Sequence, residues 1–153
     1  MPKNLEIDNT DLKILQILAE DASVPYTEIA QRVFVSDGTV HVRMKKLKEM
    51  GVVKGSQLII DYAALGWDVT AFVGIYLEKS SQYEPVVEAL RAIPEIINLN
   101  YTTGAYSIFA KLVCRDTKQL MEILHGKVQN IVGIQRTETF ISLEEPINRH
   151  LML

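Results

Sequence analysis

The residues of this chain whose types and spacing could do chemistry lie in two short stretches. The first holds Ser36, Gly38, Thr39, His41 and Val42, followed by Arg43, Lys45 and Lys46. Small or hydrogen-bonding side chains of the first kind reach base edges, and cations of the second kind neutralise phosphates. The second stretch is Tyr101, Thr102, Thr103, Gly104, Ala105, Tyr106 and Ser107. A glycine turn there lets backbone amides approach a ligand carboxylate, and Thr103, Tyr106 and Ser107 offer hydroxyls. Both stretches have plainer accounts on residue types alone. A basic helix face is often only solvated, or belongs to a protein-binding winged helix, and for Tyr101 to Ser107 a plain hairpin turn is the stronger reading.

Covalent and metal chemistry find no comparable pattern. The acid pair Glu144-Glu145 precedes Pro146 and reads as a solvated strand end. There is no Gly-x-Ser-x-Gly nucleophile turn, glycine-rich phosphate loop or His-Glu cluster. Cys114 is the single cysteine, and His41, His125 and His150 are far apart in sequence. An enzyme, a metal site and a bound cofactor are therefore not expected. The apolar runs are far shorter than the roughly 20 residues needed to cross a bilayer, and Met1 to Asn4 lead into no signal-peptide core, so a cytoplasmic protein without a membrane partner is expected.

The 153 residues carry 16 Lys+Arg against 19 Asp+Glu, a formal charge of −3, which argues weakly against nucleic acid until the charges are placed. Residues 32–54 hold six cations (Arg32, Arg43, Lys45, Lys46, Lys48, Lys54) against Asp37 and Glu49, while the segments on either side are net acidic. That basic stretch is the one local place where an anionic polymer would bind.

The elements that must position these residues follow from caps and periodicity. Asp8 and Asp11 open a helix that runs to about Glu20, and its leucines and isoleucines predict burial on more than one side. A second short helix starts at Pro25 and ends near Val33. A third is capped by Ser36, carries Val40, Met44 and Leu47 on its core stripe, and stops at Gly51. Residues 52–60, rich in β-branched side chains, read as a wing strand, and residues 61–67 read as a linker. Two helices joined by a tight turn, with the second basic on its free face, make a helix-turn-helix.

From Trp67 the period changes. Val69, Ala71, Val73, Ile75 and Leu77 alternate as a strand does; a helix follows from Tyr83 and is stopped by Pro94. Two further strands meet at a tight Gly104-Ala105 turn, Asp116 caps a last helix, and a final strand begins at Ile134. The fold class is α+β: an N-terminal winged helix-turn-helix over residues 1–60 and a C-terminal ferredoxin-like βαββαβ domain over residues 68–153. Phe72, Tyr76, Phe109 and Val113 make the sheet's second face apolar too, so a second subunit is expected to cover it as a symmetric dimer. Gln129 and Thr137 are further polar positions beside the sheet.

The sequence resembles the Lrp/AsnC (feast/famine) transcriptional regulators over nearly its whole length. The likeness rests on Ile7-Asp8 with Asp11 and Ile14-Leu15, on Glu28-Ile29-Ala30 with Arg32-Val33, and on Val35-Ser36 with Val42-Arg43-Met44 and Leu47. Gly51-Val52-Val53 and Thr102 to Ser107 add to it. Residues 38–43, 101–104 with 106–109, and 137–139 are most similar to the asparagine-responsive AsnC branch. Two departures stand out: Phe34 lies where relatives usually have a turn glycine, and Asp37 where they often have proline. A bulky residue kept in a left-handed turn costs about 1 to 2 kcal/mol.

The resemblance implies a sequence-specific regulator that binds duplex DNA at an inverted repeat and associates beyond the dimer, as far as an octamer. It also implies a small amino acid bound between subunits near Tyr101, Thr103, Gly104, Ala105, Tyr106 and Ser107, with Gln129 and Thr137 as further contacts. Relatives carry acids where this chain has the neutral Ala105 and Ser107, which favours a polar uncharged effector, asparagine first. The alternative is an amino-acid-binding ferredoxin-like oligomer whose winged helix binds a protein partner.

Overall fold

The computed structural model describes residues 6–153, which divide into two compact units: residues 6–59 with Ile147–Leu153, and Ile60–Pro146. In the first unit α1 spans Asn9–Glu20, α2 Tyr26–Val33 and α3 Asp37–Glu49. Helix α1 begins with a reciprocal cap: the Asp11 amide donates to Asp8 Oδ1 (2.8 Å), and the Asp8 amide donates to Asp11 Oδ2 (3.2 Å). Each aspartate thus satisfies an amide that has no partner inside the helix. In α3 the Thr39 amide donates to Ser36 Oγ at 3.2 Å. Ile14, Ile29, Ala30, Val40, Met44 and Leu47 form the buried core of this unit.

Two expectations are corrected here. Helix α1 is not buried on several sides: among its apolar residues Ile14 is buried, Leu15, Ile17 and Leu18 are half-buried, and Leu12 is exposed. Residues 52–60 form no wing strand, because a strand is made by its ladder and no described segment pairs with them. The Val52 and Val53 amides instead both donate to the Leu47 carbonyl, closing the end of α3, and Leu58 and Ile59 are left 88% exposed.

Phe34 takes up the left-handed conformation, φ 59° and ψ 48°, between α2 and α3. Its side chain is 94% exposed, so no packing offsets the backbone strain.

The second unit contains β1 (Val69–Leu77), α4 (Tyr83–Arg91), β2 (Ile96–Tyr101), β3 (Ile108–Cys114), α5 (Thr117–Gly126) and β4 (Ile134–Ile141). The antiparallel sheet has the order β2-β3-β1-β4, which is the ferredoxin-like plan. One face packs Ala71, Val73, Ile75, Ile108, Ala110 and Leu112 against Val86, Leu90, Leu120 and Ile123 of the helices. The other carries Phe72, Tyr76, Phe109, Lys111, Arg136, Glu138 and Phe140, as their register requires. The tight Gly104-Ala105 hairpin turn is also corrected. Strands β2 and β3 end and begin at Tyr101 and Ile108, and residues 102–107 form an irregular loop. The Ser107 amide leaves the hairpin to donate to the Ile75 carbonyl on β1, at 3.0 Å.

No described helix is long and apolar enough to cross a membrane.

Candidate nucleic-acid interface and effector loop

Helix α3 follows α2 after the three residues Phe34, Val35 and Ser36. Val40, Met44 and Leu47 anchor it in the core, which turns the intervening residues outward. Ser36, Gly38, His41 and Val42 are exposed and Thr39 is half-buried, with its hydroxyl 2.8 Å from that of Ser36. The His41 ring meets Tyr26 of α2 edge-on at 4.7 Å, which fixes its direction. One end of α3 therefore presents a row of short polar groups of the kind that reads base edges.

The cations are not equivalent. Lys45 is well exposed and only 3.9 Å from Glu49, while Lys48 is exposed with no ion pair among the described residues. Arg43 instead points back to α1, where Nη1 donates to Asp8 Oδ2 (2.7 Å) and to Asp11 Oδ1 (2.9 Å). Lys46 Nζ donates to the Glu6 carbonyl (2.6 Å) and lies 3.7 Å from Asp11 Oδ2. Hydrogen bonding to Arg43 holds the Asp8 carboxyl below its ordinary range, and the same bonds raise the guanidinium's pKa. Of the three cations singled out in the sequence, Lys45 is the most exposed and the one not drawn back onto α1, its Glu49 partner being an exposed neighbour on the same helix.

In the second unit, Thr102 and Ser107 close the 102–107 loop. The Thr102 amide donates to the Ser107 carbonyl (3.0 Å), and the Thr102 hydroxyl to the Tyr106 carbonyl (2.8 Å). Thr103, Gly104 and Ala105 at its tip are exposed, and Gly104 has φ 99°, a conformation that L residues avoid. The two tyrosines diverge. The Tyr101 ring lies 4.4 Å from that of Tyr83, beside α4, whereas Tyr106 folds onto the open face of the sheet. Gln129 is exposed after α5, and Thr137 is half-buried on β4 opposite Ile75. Register puts Tyr101, Ile108, Ile75 and Thr137 in one row across four strands. Tyr101 and Thr137 are thus about 14 Å apart, at three strand spacings. No hydrogen bond among the described residues ties Gln129 or Thr137 to the loop.

Two residues that sequence reasoning passed over organise Tyr106. Its hydroxyl donates to Glu138 Oε2 at 2.7 Å, and Glu138 Oε1 accepts from Tyr76 (3.2 Å) and Arg136 (3.0 Å). These bonds, Tyr106's foremost, hold the Glu138 carboxyl below its ordinary range despite partial burial. The Tyr106 hydroxyl is raised chiefly by its bond to Glu138, and that of Tyr76 chiefly by burial. The second residue is Gly74: a β-carbon there would lie 2.5 Å from Tyr106 Cδ1. A glycine inside an otherwise apolar strand was the available signal.

These two halves define a class: a helix-turn-helix transcriptional regulator joined to a ligand-binding ferredoxin-like domain. Residues 7–54 match the family model for winged helix-turn-helix DNA-binding, and residues 70–152 match that for the Lrp/AsnC ligand binding domain. The chain belongs to the Lrp/AsnC family of transcriptional regulators. It is 44% identical to the regulatory protein AsnC of Haemophilus influenzae over 145 residues, covering 95% of this chain and 97% of that protein. It is 41% identical to AsnC of Escherichia coli K12 over 147 residues, covering 96% and 97%. The solved structure of E. coli AsnC matches with a TM-score of 0.91 at 39% identity, covering 96% of this chain and 99% of that one.

Proposed function

We propose that this regulator binds an inverted-repeat operator as a dimer and that asparagine, bound between subunits at the 102–107 loop, modulates it. The observation that carries the effector reading is the loop itself: an exposed Gly104 at φ 99° leaves neighbouring amides open to a carboxylate, with Thr103 and Ser107 beside it. The divergence of Tyr101, Gln129 and Thr137 supports a shared site. A free amino acid cannot span about 14 Å between Tyr101 and Thr137 of one chain, so a pocket using this set takes residues from more than one copy. Neutral Ala105 and Ser107 suit an uncharged polar side chain.

The open sheet face supports the dimer. Phe72 and Phe109 stack at 5.8 Å and Phe140 is 47% exposed, which makes an apolar surface that a second copy would cover. On this reading further association, as far as an octamer, brings effector loops of different dimers together, and the protein works in the cytoplasm beside its DNA.

The test has two arms on the full chain. Selection of bound duplexes from a random-sequence pool should return an inverted repeat. Calorimetry with each common amino acid should give heat with asparagine, and a raised melting temperature by mass action. Leucine binding in place of asparagine overturns the specificity, and no binding by any amino acid overturns the effector site. Gly104→Asp should abolish the response by charge, with Gly104→Ala reporting the backbone strain alone.

A further inference from the structure

Asp11 is the one buried charged residue among those described, its side chain fully hidden from solvent at the start of α1. A carboxylate so placed needs a partner, and the partner is on α3: Arg43 Nη1 is held between Asp11 Oδ1 and Asp8 Oδ2. One turn further along the same face, Lys46 reaches the Glu6 carbonyl. Arg43 lies one helical turn after Thr39, so this clamp fixes the roll of α3 directly behind its base-reading end. A roll of about 20° would carry a side-chain tip 5 to 6 Å from the axis through about 2 Å. That is enough to break a hydrogen bond to a base edge.

We propose that Arg43 is a positioning residue for sequence recognition, locking α3 against α1 through Asp8 and Asp11, and does not act as a phosphate contact. It rests on the DNA-binding reading of α3. The two roles differ in sign. If Arg43 served phosphate, the aspartates would compete for it, and removing one would strengthen DNA binding and steepen its salt dependence. As a clamp, removing either side loosens α3, so preference for the correct site falls while the salt dependence stays the same.

The experiment uses the full-length protein and a duplex selected by the wild type from a random pool, beside its scrambled counterpart, with affinity measured over a range of salt. Arg43→Ala should lose about 10-fold or more of the preference for the selected duplex, the scale of a lost base contact. Its slope of log K against log salt should match the wild type. Arg43→Lys, whose ammonium can bridge the same carboxylates, should recover part of the preference. Asp8→Asn keeps a good helix cap while removing the charge, and should also lower the preference. Lys45→Ala, by contrast, should reduce the slope by about 0.9 and leave the preference unchanged. Helix content and melting temperature of each variant separate recognition from folding, because a merely structural Arg43 would leave the preference of the folded protein intact. A reduced slope in Arg43→Ala, or tighter binding by Asp8→Asn, overturns the proposal. A wild type with no preference overturns the reading of α3 and the proposal together, a result distinct from a preference that survives in Arg43→Ala.

Discussion

Gly74→Ala should destabilise the C-terminal unit through a single contact, and a second substitution should reverse the sign of that effect. A β-carbon at Gly74 would lie 2.5, 2.6 and 2.7 Å from Cδ1, Cε1 and Cγ of Tyr106. Ordinary contact begins near 3.4 Å, so an opening of almost 1 Å is needed, and Cγ is too close to the backbone to yield by swinging the ring tip. Tyr106 must leave its place against Tyr76 (5.1 Å between centroids) and Phe109 (5.9 Å), or β1 and the 102–107 loop must part. Overpacking of this kind costs about 1 to 3 kcal/mol. Against it, alanine restricts the unfolded chain and returns about 0.4 to 1 kcal/mol.

Gly74→Ala alone should therefore lower stability by about 0.5 to 2 kcal/mol. In a Tyr106→Ala background the clash is gone and only the gain remains, so the same substitution should be neutral or stabilising. Trp67, the single tryptophan, lies in this unit with Arg115 over its ring at 5.2 Å, so urea unfolding followed by its fluorescence reads the C-terminal unit. Measurements at one protein concentration keep association constant. An equal cost of Gly74→Ala in both backgrounds would refute the reasoning, because the penalty would then not come from Tyr106.

Phe34→Gly should stabilise the N-terminal unit by up to about 1 kcal/mol, since relief of left-handed strain exceeds the entropy that glycine adds to the unfolded chain. Phe34→Ala, which keeps the strain, should show no such gain in a thermal melt followed by circular dichroism. The stability of the C-terminal unit should fall at both ends of the pH scale. The depressed Glu138 carboxyl contributes stability above its ordinary 4.5 that is lost as pH falls through its lower folded value. The raised tyrosines contribute stability below 10.0 that is lost as pH rises through their higher folded values, so Tyr106→Phe should flatten the alkaline limb of the urea midpoint. Cys114 is fully buried and its thiol is pushed up by burial, so a thiol reagent should label the native protein only through opening of the sheet. Rapid labelling under native conditions would contradict that placement.

What the sequence determined by itself is what depends on residues a few positions apart. Asp8, Ser36 and Asp116 announce helix starts because each cap satisfies an amide three residues on. The alternation of Val69 to Leu77 announces a strand because successive side chains point to opposite faces. The fold class, the core stripe of α3 and the strain at Phe34 were legible for the same local reason. Tertiary structure decided the rest. Arg43 looks like any surface cation until α1 brings up Asp8 and Asp11, which lie 35 and 32 residues away in sequence. Residues 52–60 have strand composition but no strand, since pairing is supplied by a neighbour and composition cannot provide one. Tyr101 and Tyr106 sit in one motif yet turn to opposite faces of the sheet, Tyr101 beside Tyr83 of α4 and Tyr106 onto Tyr76, where Gly74 has no β-carbon to obstruct its ring. Caps and periodicity are written in neighbours along the chain, whereas the partner of a charge or a ring is chosen by which distant residues the fold delivers to it.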